Sequence, residues 1–307
     1  MFPEKMLAPP MSGAKTAHAL YDEEKHGTTL TERTVTWMRD HASGPFFLYF
    51  ATPHIHHPFT PGARFKGSSE CGSYGDFIQE FDWMVGEVMR TLDELKLSNN
   101  TLIILTSDNG GMLNQGGQQA WKAGHRLNGD LLGFKFDAWE GGHRVPFIAR
   151  WPGKIEASSV SDQLICQIDL LSTFAALTGS ETRGPDSVNV LPALLGKPEK
   201  PVRDHLVLAP YRKANLGLRE GPWLYIGAPG GGGFGGAKPG DHALGGGGAL
   251  KFTGETNSDF ANGRLKPGAP KAQLYNLSDD PRQSTNVIEA HPDIAKRMAE
   301  RLATMQH

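Results

Sequence analysis

Leu102-Ile103-Ile104-Leu105-Thr106-Ser107-Asp108-Asn109-Gly110-Gly111 is the stretch on which the fold turns. Four consecutive apolar residues leave no polar face, so Leu102–Leu105 reads as a strand covered on both sides, as in parallel sheets. Upstream, Phe77, Phe81, Met84, Val88, Leu92 and Leu95 recur at spacings of three and four. That periodicity predicts a helix from about Tyr74 to Leu97 with one apolar stripe. Before it, Phe46-Phe47-Leu48-Tyr49-Phe50 follows the breaker Gly44-Pro45 and reads as a second continuous apolar strand. Strand, long helix and strand make a βαβ unit, hence an α/β fold with a parallel sheet. Ligands in such sheets bind beyond the C-terminal strand ends, where Thr52–His57 and Thr106–Gly111 lie.

Working outward, residues 1–26 read as loop, Thr29–Asp40 as a helix, Val145–Arg150 as a strand and Asp169–Leu177 as a helix capped by Gly179. Pro185–Pro201 is a Pro-rich connector, dividing a larger portion, 1–195, from a smaller one, 196–307. Short strands at 206–208, 223–226 and 273–275 and an amphipathic helix beginning at His291-Pro292 populate the second portion. Gly227–Gly248 holds 12 glycines in 22 residues, which reads as a mobile loop. Its formal GxGxxG match at Gly231, Gly233 and Gly236 is not followed by the helix that dinucleotide binding needs.

The 307 residues carry 31 basic and 33 acidic side chains, a formal charge of −2. That balance provides no electrostatic footprint for nucleic acid and no polybasic membrane patch. The longest apolar run, Phe46–Ala51, is too short to span a bilayer. The N-terminus has no apolar run suited to a signal peptide, so the reading is of a soluble chain without an export signal. Cys71 and Cys166 form no CxxC pair and no disulfide framework.

Three clusters carry chemistry. Asp108-Asn109, a carboxylate beside an amide oxygen at a strand end, suits a hard cation such as calcium or magnesium. The same residues are also good Asx-turn chemistry, and two ligands are too few for calcium. His54-Ile55-His56-His57-Pro58 places three imidazoles in four residues. In an extended chain His54 and His56 face one way and His57 the other, which gives zinc little support. One histidine acting as a general acid is the more natural use. The third cluster is Gly133-Phe134-Lys135-Phe136-Asp137-Ala138-Trp139-Glu140-Gly141-Gly142-His143-Arg144-Val145-Pro146. A lone lysine among aromatic residues there can point a fixed positive charge into a site, or simply cover aromatic surface with its stem.

Taken together, these fragments resemble the sulfatases of the alkaline-phosphatase-like fold. The resemblance runs from Pro45–Ala51 through His56-His57-Pro58, Leu102–Gly110 and Lys135 followed by Glu140-Gly141-Gly142-x-Arg144-Val145-Pro146. It continues into Leu218–Trp223 and Gln273–Pro281. It implies an α/β sandwich with a central mostly parallel sheet and a small C-terminal α+β subdomain. It also implies that Asp108 and Asn109 are half of a calcium (or magnesium) site holding the sulfate oxygens, that Lys135 neutralises the sulfate, and that His56 protonates or stabilises the leaving group. Charge builds on the departing and sulfuryl oxygens during S–O cleavage, and preorganised cations and donors stabilise it.

The departures are equally specific. The family carries formylglycine made from Cys or Ser in C-x-P-x-R or S-x-P-x-R. Here Cys71 precedes Gly72-Ser73-Tyr74 and Cys166 precedes Gln167-Ile168-Asp169, so neither fits. The family's early Asp-Asp pair is absent as well, since the sole Asp-Asp is Asp279-Asp280. The expectation is a sulfuric ester hydrolase on sulfated carbohydrates or aryl sulfates, lacking its nucleophile and completed by an N-terminal segment. The alternatives are a non-catalytic remnant or sulfated-ligand binding module, or a phosphatase or phosphonate hydrolase of the same superfamily. Such enzymes are usually periplasmic, secreted or lysosomal. Gln118–Gly133, with Trp121, His125, Arg126 and Asn128, reads as the substrate-facing loop, His125 being its best single candidate.

Overall fold

The computed structural model describes residues 22–305, which divide into two compact units, residues 22–101 with 122–125 and residues 102–121 with 126–305. The loop expected for 1–26 lies outside the described residues up to residue 21; Glu23–Lys25 forms a single 3₁₀ turn.

The first unit is built on α1 (His26–Asp40) and α2 (Gly72–Glu94). The expected periodicities hold in both. Val35 and Met38 are buried on α1, and Phe77, Met84 and Leu92 on α2. α2 ends three residues earlier than expected, just before Lys96 takes a left-handed φ of 58°. The strand expected at 46–50 is not formed. A strand requires a neighbouring strand to take up its N–H and C=O groups, and no described residue does so. The segment runs as extended chain, with Phe47 71 % and Tyr49 82 % exposed while Phe46, Leu48 and Phe50 are half-buried.

The second unit begins with β1 (Ile103–Thr106), α3 (Gln115–Lys122, whose last residue falls in the first unit), α4 (Glu140–His143) and β2 (Phe147–Arg150). β1 pairs with β2 antiparallel, Ile103 opposite Arg150 and Thr106 opposite Phe147. The parallel βαβ unit expected from the first apolar run is therefore corrected. The strand before α2 is missing, and the partner of β1 comes from 41 positions later in the chain. Next come α5 (Asp169–Thr178), capped by Gly179 at φ 73°, and α6 (Leu191–Leu194) inside the Pro-rich connector. The Asp169 carboxylate is fully buried. It accepts from the N–H groups of Cys166 (2.8 Å) and Val188 (2.9 Å) and pairs with Arg203.

β3 (His205–Leu208), β4 (Gly217–Glu220), β5 (Trp223–Ile226), α7 (Gly246–Thr253), β6 (Phe260–Ala261), β7 (Arg264–Leu265), β8 (Gln273–Asn276) and α8 (Pro292–Thr304) complete the chain. β3, β4, β5 and β8 form an antiparallel sheet in that order. Leu218 and Leu274 on that sheet pack against Met298 and Leu302 of α8. The first strand of this sheet, β3, starts at His205, and residues on both sides of the division expected at 195/196 belong to the second unit.

Gly227–Gly248 is built into this unit rather than standing off as a loop, correcting that expectation. Ala243 and Leu244 are buried, and α7 starts inside the segment. Glycine is required because backbones meet closely: a Cβ at Gly231 would fall on the Asp137 carboxylate, and one at Gly245 on the Phe234 carbonyl. Cys71 and Cys166 are free thiols. Among the described residues no helix is long and apolar enough to cross a membrane.

Candidate functional site

Ser107-Asp108-Asn109-Gly110 turns directly off the end of β1. Gln167 Nε2 donates to Thr106 Oγ1 (3.3 Å) and to the Ser107 carbonyl, and Ser107 Oγ donates to the Asn109 carbonyl at 3.1 Å. Asn109 Nδ2 donates to the Gly110 carbonyl at 2.9 Å, which leaves Oδ1 as the available oxygen. Asp108 is exposed, and no described residue hydrogen-bonds or pairs with its carboxylate. The turn thus offers an unengaged carboxylate beside an amide oxygen, a donor set that fits calcium or magnesium. No group of three or more His, Cys, Asp or Glu among the described residues is placed to hold a metal. A calcium ion takes six to eight oxygens, so Asp108 and Asn109 fit as part of a shell.

Lys135 lies on a second turn, hydrogen-bonded to the first. Its N–H donates to the Gly111 carbonyl at 2.8 Å, and Gly110 N–H donates to the Gly142 carbonyl at 3.0 Å. Asn128 bridges the two: Oδ1 accepts from Gly111 N–H at 2.6 Å while Nδ2 donates to the Gly133 carbonyl at 2.9 Å. Buried Phe134 and Trp139 anchor the Lys135 turn from either side. Asp137, also buried, accepts from Phe134 N–H (2.8 Å) and Gly233 N–H (2.9 Å). Burial without a cationic partner pushes the Asp137 carboxyl up to about 6, against the pull of those two N–H groups. Lys135 Nζ stands 5.4 Å from the Phe136 ring centre, and its half-buried side chain has no carboxylate partner among the described residues. Glu140 is held by Arg144 at 3.2 Å and has Arg219 at 3.9 Å, so the acid of Glu-Gly-Gly-x-Arg is engaged structurally.

The structure brings Asp108, Asn109 and Lys135 into one pair of coupled turns. His56 and His125 belong to the first unit. There, His54–Pro58 is a turn rather than an extended stretch, begun by His56 N–H donating to the Pro53 carbonyl at 2.9 Å. His54 and His56 therefore do not share a face, correcting that expectation. His54 is buried against Phe77 (centroids 3.9 Å apart) and Glu80, while His56 is exposed. His56 Nδ1 lies 2.6 Å from the His57 carbonyl, which places the ring proton on Nδ1. His125 packs against Tyr74 on α2, centroids 5.8 Å apart. Burial pushes that Tyr74 hydroxyl up to about 12.

Glu80 escaped the sequence reading, although a signal was present. It lies within the apolar stripe of α2, between Phe77 and Met84, where an acid needs a buried partner. Asn128 stood among the loop residues singled out, but its bridging role depends on contacts across 17 positions.

A sulfatase family model matches residues 5–180. An N-acetylgalactosamine-6-O-sulfatase of Bacteroides thetaiotaomicron is 35 % identical over 302 residues, 96 % of this chain and 53 % of that protein. The N-acetylgalactosamine-6-sulfatase of Canis lupus familiaris is 41 % identical over 162 residues, 50 % of this chain and 29 % of that protein. A solved Bacteroides thetaiotaomicron structure described with the metabolism of multiple glycosaminoglycans superposes with a TM-score of 0.74 at 32 % identity. It covers 94 % of this chain and 55 % of that one. A Pseudoalteromonas sp. sulfatase shares the fold with a TM-score of 0.69 at 24 % identity, covering 96 % and 56 %. The fold is thus the alkaline-phosphatase-like α/β fold of the sulfatases. The chain spans about half the length of the Bacteroides relative and of these solved structures. With a family model over more than half of its residues and a relative matched along nearly all of them, the chain belongs to the sulfatase family.

Proposed function

We propose that this chain carries the sulfate-holding part of a sulfuric ester hydrolase acting on sulfated carbohydrates or aryl sulfates. The observation that carries the reading is the coupling of the Asp108-Asn109 turn to the Lys135 turn, through Lys135 N–H on the Gly111 carbonyl and through Asn128. Such coupling would hold a cation-binding pair and the base of the Lys135 side chain on adjoining turns, the preorganisation that transition-state charge stabilisation requires. The names of the relatives, N-acetylgalactosamine-6-O-sulfatase among them, support the substrate class.

Asp108 and Asn109 would hold a calcium or magnesium ion, which when bound supplies charge neutralisation for the sulfuryl oxygens. Lys135 orients the sulfate through its ammonium. His56, with Nδ1 protonated against the His57 carbonyl, keeps Nε2 to take a proton and return it to the leaving oxygen. We propose His125 as a further ligand contact.

No C-x-P-x-R or S-x-P-x-R sequence occurs in the chain. We therefore propose that it binds sulfate esters without turning them over by itself. Calorimetric titration with N-acetylgalactosamine 6-sulfate in calcium buffer tests the reading. The expected result is weak binding that falls at least tenfold in Lys135→Ala, and equal binding by that variant overturns it. Robust hydrolysis of 4-nitrophenyl sulfate by the chain overturns the separation of binding from turnover. Unaltered affinity in His125→Ala removes His125 from the site.

A further inference from the structure

Gly231, Gly233 and Gly236 match GxGxxG without the helix that a dinucleotide site needs. Two of these glycines have another use. Together with Gly133 they form a seat around the buried Asp137 carboxylate. A Cβ would come within 3.0 Å of a carboxylate oxygen at Gly133, 2.3 Å at Gly231 and 2.6 Å at Gly233. Only a residue without a side chain lets the backbone approach that closely.

The seat engages both oxygens. Oδ2 takes the Phe134 N–H at 2.8 Å and Oδ1 takes the Gly233 N–H at 2.9 Å. Next to it, Ala138 N–H donates to the Gly231 carbonyl at 2.6 Å, and Tyr211 N–H donates to the Phe136 carbonyl at 3.1 Å. The glycine-rich segment is thus bonded to Asp137 and Ala138, on the turn that carries Lys135.

That turn is strained. Phe136, adjacent to Lys135, has a φ of 76°. A residue with a side chain keeps this left-handed conformation only where its surroundings hold it there. Asp137 supplies that hold on both sides of Phe136, at the Phe134 N–H and at the glycine segment that also takes Ala138.

Two N–H donors on two oxygens require a carboxylate. An amide or a protonated acid carries hydrogen on one of those positions and turns it against an N–H. Burial pushes the Asp137 carboxyl up to about 6, so at pH 7.5 it is ionised and both oxygens accept. No cationic side chain among the described residues is paired with it. Its hold is therefore on the backbone, not on the Lys135 ammonium.

We propose that Asp137 is the positioning residue for Lys135, its carboxylate, seated on three glycines, fixing the strained turn from which Lys135 reaches the sulfate. The proposal rests on the reading of Lys135 as the ammonium that orients the sulfate, and adds what aims it.

Titration of the full chain with N-acetylgalactosamine 6-sulfate in calcium buffer at pH 7.5, followed by NMR so that weak binding is read, tests it. Asp137→Asn, nearly isosteric, is expected to weaken the ester at least threefold and to leave calcium affinity, read without ester, unchanged. In a Lys135→Ala background the same substitution should cost nothing further, because Asp137 acts through Lys135. A merely structural role would weaken binding in both backgrounds. Asp137→Ser, which also removes the second acceptor, carries the same expectations if circular dichroism shows Asp137→Asn unfolded. Unchanged ester affinity, an equal loss with and without Lys135, or a parallel fall in calcium affinity overturns the proposal. Unaltered affinity in Lys135→Ala overturns the sulfate reading itself, whereas a loss there with none in Asp137→Asn overturns the positioning role alone.

Discussion

His54 and Glu80 face each other inside the first unit, Nε2 3.3 Å from Oε2, with side chains 0 % and 1 % exposed. Glu80 also takes the Gly62 N–H at 3.0 Å, so one carboxylate ties α2 to the segment after the histidine turn. Removing His54 leaves the buried Glu80 carboxylate with the Gly62 N–H but without its imidazole, and breaking a buried pair costs about 3 kcal/mol or more. His54→Ala is therefore expected to destabilise the first unit by about 3 kcal/mol. Urea unfolding followed by far-UV circular dichroism measures this, and a change below about 1 kcal/mol, the size of an ordinary substitution, refutes it.

Asp137 makes stability depend on pH in an unusual direction. Its folded carboxyl titrates at about 6, against 3.8 when unperturbed. The folded protein therefore holds the proton more tightly than the unfolded chain. The stability this gives is fully present below about pH 4 and is lost as pH rises through about 6, amounting to about 3 kcal/mol. Asp137→Asn cannot ionise, so the stability of the wild type relative to it should fall across that window. A constant difference between pH 4 and 7 would show that Asp137 does not titrate there.

Gly231 is packed on that same carboxylate. A methyl group at this position would force Asp137 off the Phe134 and Gly233 N–H groups. Gly231→Ala should cost about 2 kcal/mol or more, in the range of overpacked cores. Gly153→Ala, where a Cβ meets nothing but φ is 75°, serves as the backbone-strain control and should cost less, about 1 kcal/mol. Equal midpoints for the two variants would refute the close-packing account.

Asp108 and Lys135 should separate in their effects. Asp108→Ala is expected to lower calcium affinity at least tenfold, read by calorimetry without substrate. Lys135→Ala should leave calcium binding unchanged and weaken the sulfate ester instead. Asp108 is exposed, Lys135 is only half-buried and neither pairs with a described charged group, so thermal midpoints should move by less than the few degrees that 1 kcal/mol produces. In a protein that also supplies the nucleophile, Lys135→Ala should cut turnover by orders of magnitude.

Much of this was legible along the chain because it depends on near neighbours. The stripe of α2 and the strands at 103–106 and 223–226 arise from local periodicity, which a helix or strand expresses wherever it forms. The turns that carry Asp108, Asn109 and Lys135 were legible for the same reason, since each sits beside a strand end or Gly-Gly turn. The apolar run at 46–50 misled because periodicity reports what a strand would bury, not whether a partner strand exists. The glycines of 227–248 misled through composition. A run that is flexible in isolation is the same run that lets two backbones approach most closely.

By itself, the sequence determined the family, the long helix α2 and the residue types at the strand-end turns. Only the tertiary structure decided that β1 pairs antiparallel with β2, that His54 turns inward to Glu80 while His56 stays outside, and that Trp121 and Glu255, 134 positions apart, share one cavity. The physical reason is one of range. Helix periodicity and turn chemistry act over a few residues, whereas desolvation, sheet pairing and cavity walls depend on which distant segments meet.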